Sequence, residues 1–170
     1  MQPPENVRND AQRQFVGLHM GGAAYAIAIE DVREIVEITT LTPLPSVHPS
    51  VCGVTNLRGS IIPVVDLWRL LHGELPETAT ANSVTDDDDA DVGTRTIVLG
   101  VDDRVVGCQV DRVDQVMWFD KGEIQTPPEG LADIAGVVGL VRQSEKLTIV
   151  LDAGVIARTI VLATEEYCDG

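Results

Sequence analysis

Residues 53–67 of this 170-residue chain are Gly53-Val54-Thr55-Asn56-Leu57-Arg58-Gly59-Ser60-Ile61-Ile62-Pro63-Val64-Val65-Asp66-Leu67. Two runs of mainly apolar residues, Cys52–Leu57 and Ser60–Val65, flank the dipeptide Arg58-Gly59, which predicts two antiparallel strands joined by a tight turn. Gly59 supplies the positive φ angle that such a turn requires. Asp66 is typical of an N-cap, so a short helix is expected over Leu67–Leu71.

Arg58 is the one charged residue within this predicted hairpin. A tight turn on two strands would hold its guanidinium in a fixed place, from which its N–H donors project. The plainer interpretation is a solvated turn arginine, and the alternative is a residue that binds a partner.

Three other parts of the chain show the same hairpin pattern. The turns are predicted at Gly21-Gly22, at Asp102-Asp103 and between the runs 136–142 and 146–151. Each half of the chain thus repeats one order of elements: hairpin, connecting segment, hairpin, Asp-capped helix. Gly53–Leu57 also resembles Gly136–Leu140 in the positions of glycine and leucine. We therefore expect a mainly β protein with two related lobes, built as small barrels or sheets.

The segments outside the hairpins are expected to form short helices and one further strand. Val32, Ile35 and Val36 fall at i, i+3 and i+4, which predicts a short helix with Glu34 on its polar side. Near the C-terminus, a second short helix is expected over Ala153–Ala157 and a strand over Thr159–Ala163.

These elements suggest a division of the chain into an arm, a domain and a tail. Residues 1–13 are polar and irregular and are expected to form a flexible N-terminal arm. The domain is expected over 14–157, with lobes at roughly 30–94 and at 95–157 together with the N-terminal strands. Residues 158–170 would then form a C-terminal strand and tail.

Residues 73–94 interrupt the pattern with seven acidic residues and no basic one: Glu74, Glu77, Asp86, Asp87, Asp88, Asp89 and Asp91. An EF-hand that began at Asp87 would need glycine at its sixth position and glutamate at its twelfth. Val92 and Val98 stand there instead. We therefore interpret 73–94 as a solvated acidic loop between the lobes, which has little apolar surface to bury.

The overall composition excludes several classes of protein. Asp and Glu number 27 against 12 Lys and Arg, a formal net charge of −15. This balance argues against nucleic-acid binding, which needs a clustered basic face. No apolar run reaches the roughly 18 residues of a spanning helix, and the N-terminus lacks the pattern of a signal peptide, so no membrane insertion is expected. The three cysteines, Cys52, Cys108 and Cys168, are widely spaced, which favours free thiols in the reducing cytoplasm.

Motifs for catalysis or cofactor binding are missing from the sequence. It contains no P-loop, no dinucleotide-binding glycine pattern and no G-x-S-x-G element. The three histidines, His19, His48 and His72, have no partner at metal-ligand spacing. The sequence therefore predicts neither an enzyme nor a resident metal or cofactor.

The hairpin 53–67 resembles the signature hairpin of the CheW family, the adaptors of chemotaxis arrays. The segment from Phe15 to Ile35 is similar to the opening pattern of that family, in which a phenylalanine, a glycine, a tyrosine, alternating isoleucines and V-x-E-I follow one another. Residues 105–113 and 136–152 also agree with its later hairpins. The resemblance extends over residues 15–157.

This resemblance implies two SH3-like five-stranded β-barrel subdomains with short helices and no catalytic activity. Members bridge the cytoplasmic tips of methyl-accepting chemoreceptors and the regulatory domain of a CheA-type histidine kinase. Matched residue by residue, the partner-binding candidates are Val32, Glu34, Gly53, Arg58, Val105 and Asp111. A salt bridge between Glu34 and Arg58 is also conceivable.

Two departures from the family pattern keep alternatives open. The acidic loop 73–94 is longer than the resemblance implies, and the chain stops soon after the last predicted strand, so a packed terminal helix is expected to be missing. One alternative is a paralogue that serves another chemosensory pathway, such as type IV pilus motility. The other is a kinase-independent β-barrel regulator that senses an ion or ligand through the acidic loop.

Overall fold

The computed structural model describes residues 12–45, 48–72, 95–143 and 145–165. In these ranges the chain forms ten β-strands and two α-helices. The strands are β1 Gln12–Met20, β2 Ala23–Ala28, β3 Val32–Val36, β4 Val51–Leu57, β5 Ser60–Asp66, β6 Arg95–Val101, β7 Arg104–Val110, β8 Arg112–Asp120, β9 Val137–Gln143 and β10 Lys146–Leu151. The helices are α1 Leu67–His72 and α2 Ala153–Glu165, and single 3₁₀ turns cover Ile29–Asp31 and Lys121–Glu123.

The strands form two five-stranded sheets. Sheet 1 has the order β8-β1-β2-β10-β9, and sheet 2 has the order β3-β6-β7-β5-β4. All neighbouring strands are antiparallel except β2 with β10 and β5 with β7. The four predicted hairpins are present as β1–β2, β4–β5, β6–β7 and β9–β10. The prediction of a mainly β protein with two five-stranded units is confirmed.

The two halves of the chain exchange their first hairpins. Hairpin β1–β2 lies in sheet 1 with β8–β10, whereas hairpin β6–β7 lies in sheet 2 with β3–β5. The predicted lobe boundary at residues 94 and 95 is therefore wrong, because residues 95–110 complete the lobe that contains β3–β5. Parallel pairing of β5 with β7 accounts for the exchange, since parallel neighbours are joined through a crossover rather than a turn.

A shared apolar core lies between the sheets and the helices. It includes Leu18 and Tyr25 of sheet 1, Ile97 and Cys108 of sheet 2, and Ile156 of α2. The opposite face of sheet 1 encloses a second cluster, in which the rings of Phe15 and Phe119 lie 5.2 Å apart. Because side chains alternate along a strand, buried Ile62, Val64, Thr96 and Val98 lie on the corresponding face of sheet 2. Each sheet is therefore buried on both faces.

The segments that follow β3 and β8 approach the far edges of their own sheets. Thr42 pairs with Val54 of β4, and Gln125 pairs with Leu140 of β9, each through two backbone hydrogen bonds of 2.7–2.9 Å. Gly53 directly precedes Val54, and Gly139 directly precedes Leu140. A Cβ on Gly53 would lie 2.5 Å from the Thr42 carbonyl oxygen, and a Cβ on Gly139 would lie 2.7 Å from that of Gln125. Gly53 thus corresponds to Gly139, and the predicted match of Gly53 with Gly136 was three residues out of register.

Residues 32–36 are a strand and not the predicted helix. β3 pairs with β6, and its ladder shifts between Val32 and Glu34. Three apolar residues among five fit a bulged strand as well as a helical turn, and Val and Ile favour strands. The prediction missed this because the segment was too short to separate the two periods.

The C-terminus contains a helix where a strand was predicted. Ala153, Ile156, Ala157, Ile160 and Ala163 are buried at helical spacing in α2. Asp152 caps the helix, since its Oδ1 accepts hydrogen bonds from the N–H groups of Gly154 (2.8 Å) and Val155 (3.2 Å). The expected strand at 158–170 and the expected absence of a terminal helix are therefore wrong.

Two further expectations concern the chain outside these elements. The predicted arm 1–13 is too long by two residues, because β1 begins at Gln12. Residues 1–11 and the acidic loop 73–94 lie outside the described residues.

Candidate functional site

The turn between β4 and β5 fixes the position of Arg58. Arg58 has φ +53° and Gly59 has φ +89°, the two left-handed conformations of a primed hairpin turn. The side-chain oxygen of Asn56 accepts a hydrogen bond of 3.0 Å from the Gly59 N–H. Arg58 adopts a conformation that favours glycine, so a non-glycine residue stands here at a conformational cost.

The Arg58 guanidinium forms a bidentate ion pair with Glu34. Its Nε donates to Glu34 Oε1 at 3.1 Å, and its Nη2 donates to Oε2 at 2.9 Å. The Glu34 side chain is 23% exposed, and that of Arg58 is 78% exposed. The hydrogen bond from Arg58 lowers the pKa of Glu34, and the same bond raises the pKa of Arg58, so both are charged at neutral pH. The expected salt bridge is present, on a strand and a turn rather than on a helix.

This ion pair joins the two opposite edges of sheet 2. Glu34 lies on β3, the first strand of the sheet, and Arg58 follows β4, the last. The bridge between Thr42 and Val54 connects the same two edges. Sheet 2 is therefore strongly curled, although its strand ladder is not closed by β3–β4 pairing.

Val32 lies on β3 with Glu34, and Gly53 lies on β4, which precedes Arg58, but both residues are held by the fold. Val32 pairs with Leu99 and packs against the shared core. Gly53 is buried, has φ +148°, and leaves no room for a Cβ beside the Thr42 carbonyl. Gly53 therefore lets the Thr42 segment approach β4.

Val105 and Asp111 cannot both belong to one compact site. Val105 lies near the start of β7 and Asp111 directly follows its end, so the two are six residues and thus about 20 Å apart. Asp111 Oδ2 accepts a 3.0 Å hydrogen bond from the Gly21 N–H, and its own N–H donates to the His19 carbonyl at 3.0 Å. Asp111 therefore anchors the β1–β2 turn, while half-buried Val105 pairs with Gly100.

Two exposed apolar residues were missed by the sequence reasoning. Ile61 of β5 is 74% exposed, and Leu147 of β10 is 58% exposed. Ile61 pairs with Asn56 in the second residue pair from the β4–β5 turn. Leu147 pairs with Arg142 at the same position of the β9–β10 hairpin. The Ile61-Ile62 dipeptide held a signal for this, because successive residues of a strand face opposite sides.

Other kinds of site find little support within the described residues. In that part of the chain, no group of three or more His, Cys, Asp or Glu side chains is arranged to hold a metal ion. Cys52 and Cys108 are free thiols there, and burial raises their pKa values to about 11 and about 12. None of the described helices is long and apolar enough to cross a membrane.

Comparison with known proteins shows the family of this chain. Residues 14–161 match the family model of the CheW-like domain. The chain is 32% identical over 146 residues to the chemotaxis protein CheW of Treponema pallidum (strain Nichols), covering 85% of this chain and 81% of that protein. It is 34% identical over 140 residues to the chemotaxis protein CheW of Bacillus subtilis (strain 168), covering 81% of each.

A solved structure shares the fold. The crystal structure of the scaffolding protein TtCheW from Thermoanaerobacter tengcongensis superposes with a TM-score of 0.64 at 26% identity. The match covers 82% of this chain and 88% of that one. The two curled sheets, joined by a shared core, are thus those of a chemotaxis scaffold domain. This chain belongs to the CheW-like domain family.

Proposed function

We propose that this protein is a non-catalytic cytoplasmic scaffold that couples chemoreceptors to a CheA-type histidine kinase in chemotaxis. The observation that carries the proposal is the CheW-family match over residues 14–161. Its expected partners are the cytoplasmic tip of a methyl-accepting receptor and the regulatory domain of the kinase.

The architecture suits a protein that holds two partners at a fixed separation. Each sheet contains a hairpin from the other half of the chain, and both sheets bury one face in the shared core. Moving one sheet away from the other would expose apolar surface such as Leu18 and Ile97, which opposes the motion. A load or displacement applied at one sheet is thus passed to the other.

Two hairpin ends present similar apolar surfaces for docking. Ile61 on sheet 2 and Leu147 on sheet 1 occupy equivalent strand positions and are both more than half exposed. Exposed aliphatic residues at a rigid hairpin are suited to the centre of a protein interface. We assign these ends to a partner domain of the same fold, with each curled sheet equivalent to one SH3-like barrel subdomain.

The Glu34–Arg58 pair supplies the polar part of the proposed binding surface. Arg58 uses two N–H groups on Glu34, while its guanidinium has further donors and is largely exposed. The ion pair fixes the orientation of these donors before a partner arrives, which lowers the entropy cost of binding. Val32 and Gly53 would act through the shape of the surrounding surface.

Calorimetry with two purified partners tests the proposal. The full chain is titrated with the regulatory domain of the cognate kinase and, separately, with a receptor cytoplasmic fragment. We expect saturable binding to both, with no ATP or nucleotide turnover by this chain alone. Lack of binding to either partner at high micromolar concentration would contradict the proposal.

A further inference from the structure

Arg33 occupies the irregular point of edge strand β3. The ladder between β3 and β6 pairs Val32 with Leu99 and Glu34 with Val98, so Arg33 is the residue left over at the shift. Such a bulge redirects the side chain that it carries. Arg33 is exposed, and β3 has a strand neighbour on one side only.

The side chain of Arg33 lies across β6 at Gly100. A Cβ added to Gly100 would lie 2.7 Å from Arg33 Cδ and 2.8 Å from Cγ, and it would overlap Nε. The aliphatic part of the Arg33 side chain therefore packs directly on the Gly100 backbone, where any larger residue would displace it. This packing restricts the rotamers of Arg33 and positions its guanidinium before any partner binds.

The charge of Arg33 is uncompensated within the described part of the chain. Arg58, Arg13 and Arg112 there have carboxylates at 2.9, 3.8 and 3.2 Å. Arg33 has no ion pair or side-chain hydrogen bond with any described residue. Other described arginines, such as Arg104 and Arg158, also form no ion pair with a described residue. What distinguishes Arg33 is therefore the packing of its stem against Gly100, which holds the guanidinium in place.

An apolar neighbour completes the surface on β3. Ile35, two residues further along the strand, is 44% exposed. A guanidinium binds carboxylates through parallel N–H bonds, and arginine beside an apolar contact is typical of protein interfaces. The high negative charge of the chain disfavours a polyphosphate or nucleic acid as the occupant.

We propose that Arg33 anchors a carboxylate of the protein partner that docks against β3, with Ile35 providing the adjoining apolar contact. This inference rests on the proposed scaffold function and adds that the partner presents a carboxylate at this point of β3. Arg58, already paired with Glu34, orients the neighbouring surface, whereas the Arg33 guanidinium forms no ion pair with a described residue.

Charge reversal of Arg33 tests the inference. Affinities for the receptor fragment and the kinase regulatory domain are measured for the unaltered chain, Arg33→Glu, Arg33→Gln and Gly100→Ala. Arg158→Glu, an exposed charge reversal on α2, is the matched control. We expect Arg33→Glu to weaken binding of one partner about tenfold or more, Arg33→Gln to weaken it less, and the control to bind normally.

The dependence on salt separates an ionic anchor from a structural role. Binding by the unaltered chain should weaken as salt rises from 50 to about 300 mM, and this dependence should be smaller for Arg33→Gln. Gly100→Ala, which keeps the charge but moves it, should also weaken binding. If the unaltered chain binds and Arg33→Glu binds equally well, the inference is wrong while the scaffold function stands. If the unaltered chain binds neither partner, both are wrong.

Discussion

Arg58 and Glu34 form a two-point ion pair between opposite edges of sheet 2, with N–O distances of 2.9 and 3.1 Å. The pair connects a hairpin turn to an edge strand that lies 24 residues earlier in the chain. It therefore holds a surface arginine in a fixed orientation without burying it.

Arg58→Ala should weaken partner binding and leave thermal stability nearly unchanged. The Arg58 side chain is 78% exposed, so its removal leaves no cavity. Residue 58 has a positive φ, which alanine also adopts at a cost, so only a glycine at this position would relieve the backbone strain. Arg58→Gly is thus a matched variant that removes the side chain and also suits the turn. Thermal melts and calorimetry check both. A loss of stability that parallels the loss of binding in both variants would mark Arg58 as structural.

Gly53→Ala should destabilise the protein by more than about 2 kcal/mol, because a Cβ would collide with the Thr42 carbonyl at 2.5 Å. Gly59→Ala is the control, since φ is also positive there but the space around it is open. We expect the control to cost about 1 kcal/mol. Urea unfolding measures both changes, and equal effects would argue against the collision.

Asp111→Ala should lower stability by about 1 kcal/mol through loss of its hydrogen bond to the Gly21 N–H. Partner binding by the folded variant should be retained, because Asp111 follows the end of β7, four residues beyond Gly107, which lies level with Glu34 in the sheet. Asp133→Ala, at an exposed position, should be neutral in both measurements. If the folded Asp111→Ala variant binds a partner more weakly, Asp111 contributes to the binding surface and this prediction is wrong.

Stability should decrease as the pH falls below neutrality, in part because of His72. Tyr25 Oη and His72 Nε2 are 3.1 Å apart, and burial lowers the pKa of His72 below its usual 6.5 while raising that of Tyr25 to about 12. The unfolded chain therefore binds the His72 proton more readily than the folded one. This contribution is complete above pH 6.5 and is lost as the pH falls through the lowered pKa.

Urea unfolding of the unaltered chain and of His72→Gln at several pH values between 5 and 8 measures this dependence. Glutamine does not titrate there and can still accept a hydrogen bond from Tyr25. The variant should lose less stability between pH 7 and pH 5. Identical slopes for the two proteins would show that His72 does not contribute.

The hairpins were predictable because their signals are local. Paired apolar runs around Arg58-Gly59 or Asp102-Asp103 specify a tight turn between neighbouring strands, and both turns are present. The partner sheet of each hairpin was not predictable in this way. The parallel contacts of Val64 with Gly107 and of Val150 with Ala26 join residues far apart in sequence, and no local pattern encodes them.

The site was predictable in part. Glu34 and Arg58 were named from the family resemblance, and the structure brings them together, although Glu34 lies on a strand. Asp111 matched a family position yet forms a turn contact, a distinction that depends on the three-dimensional position of Gly21. A strand was predicted over Thr159–Ala163 because β-branched residues are frequent there. Ile160 and Ala163 are instead buried at helical spacing in α2.

Reconstituted kinase signalling tests the central claim most directly. Autophosphorylation of the cognate CheA-type kinase is measured with receptor-containing membranes, in the presence and absence of this protein. We expect the protein to make kinase activity responsive to receptors, and Arg58→Ala to reduce this response while remaining folded. Kinase activity that is equally independent of receptors with and without the folded, unaltered chain would contradict a scaffold role.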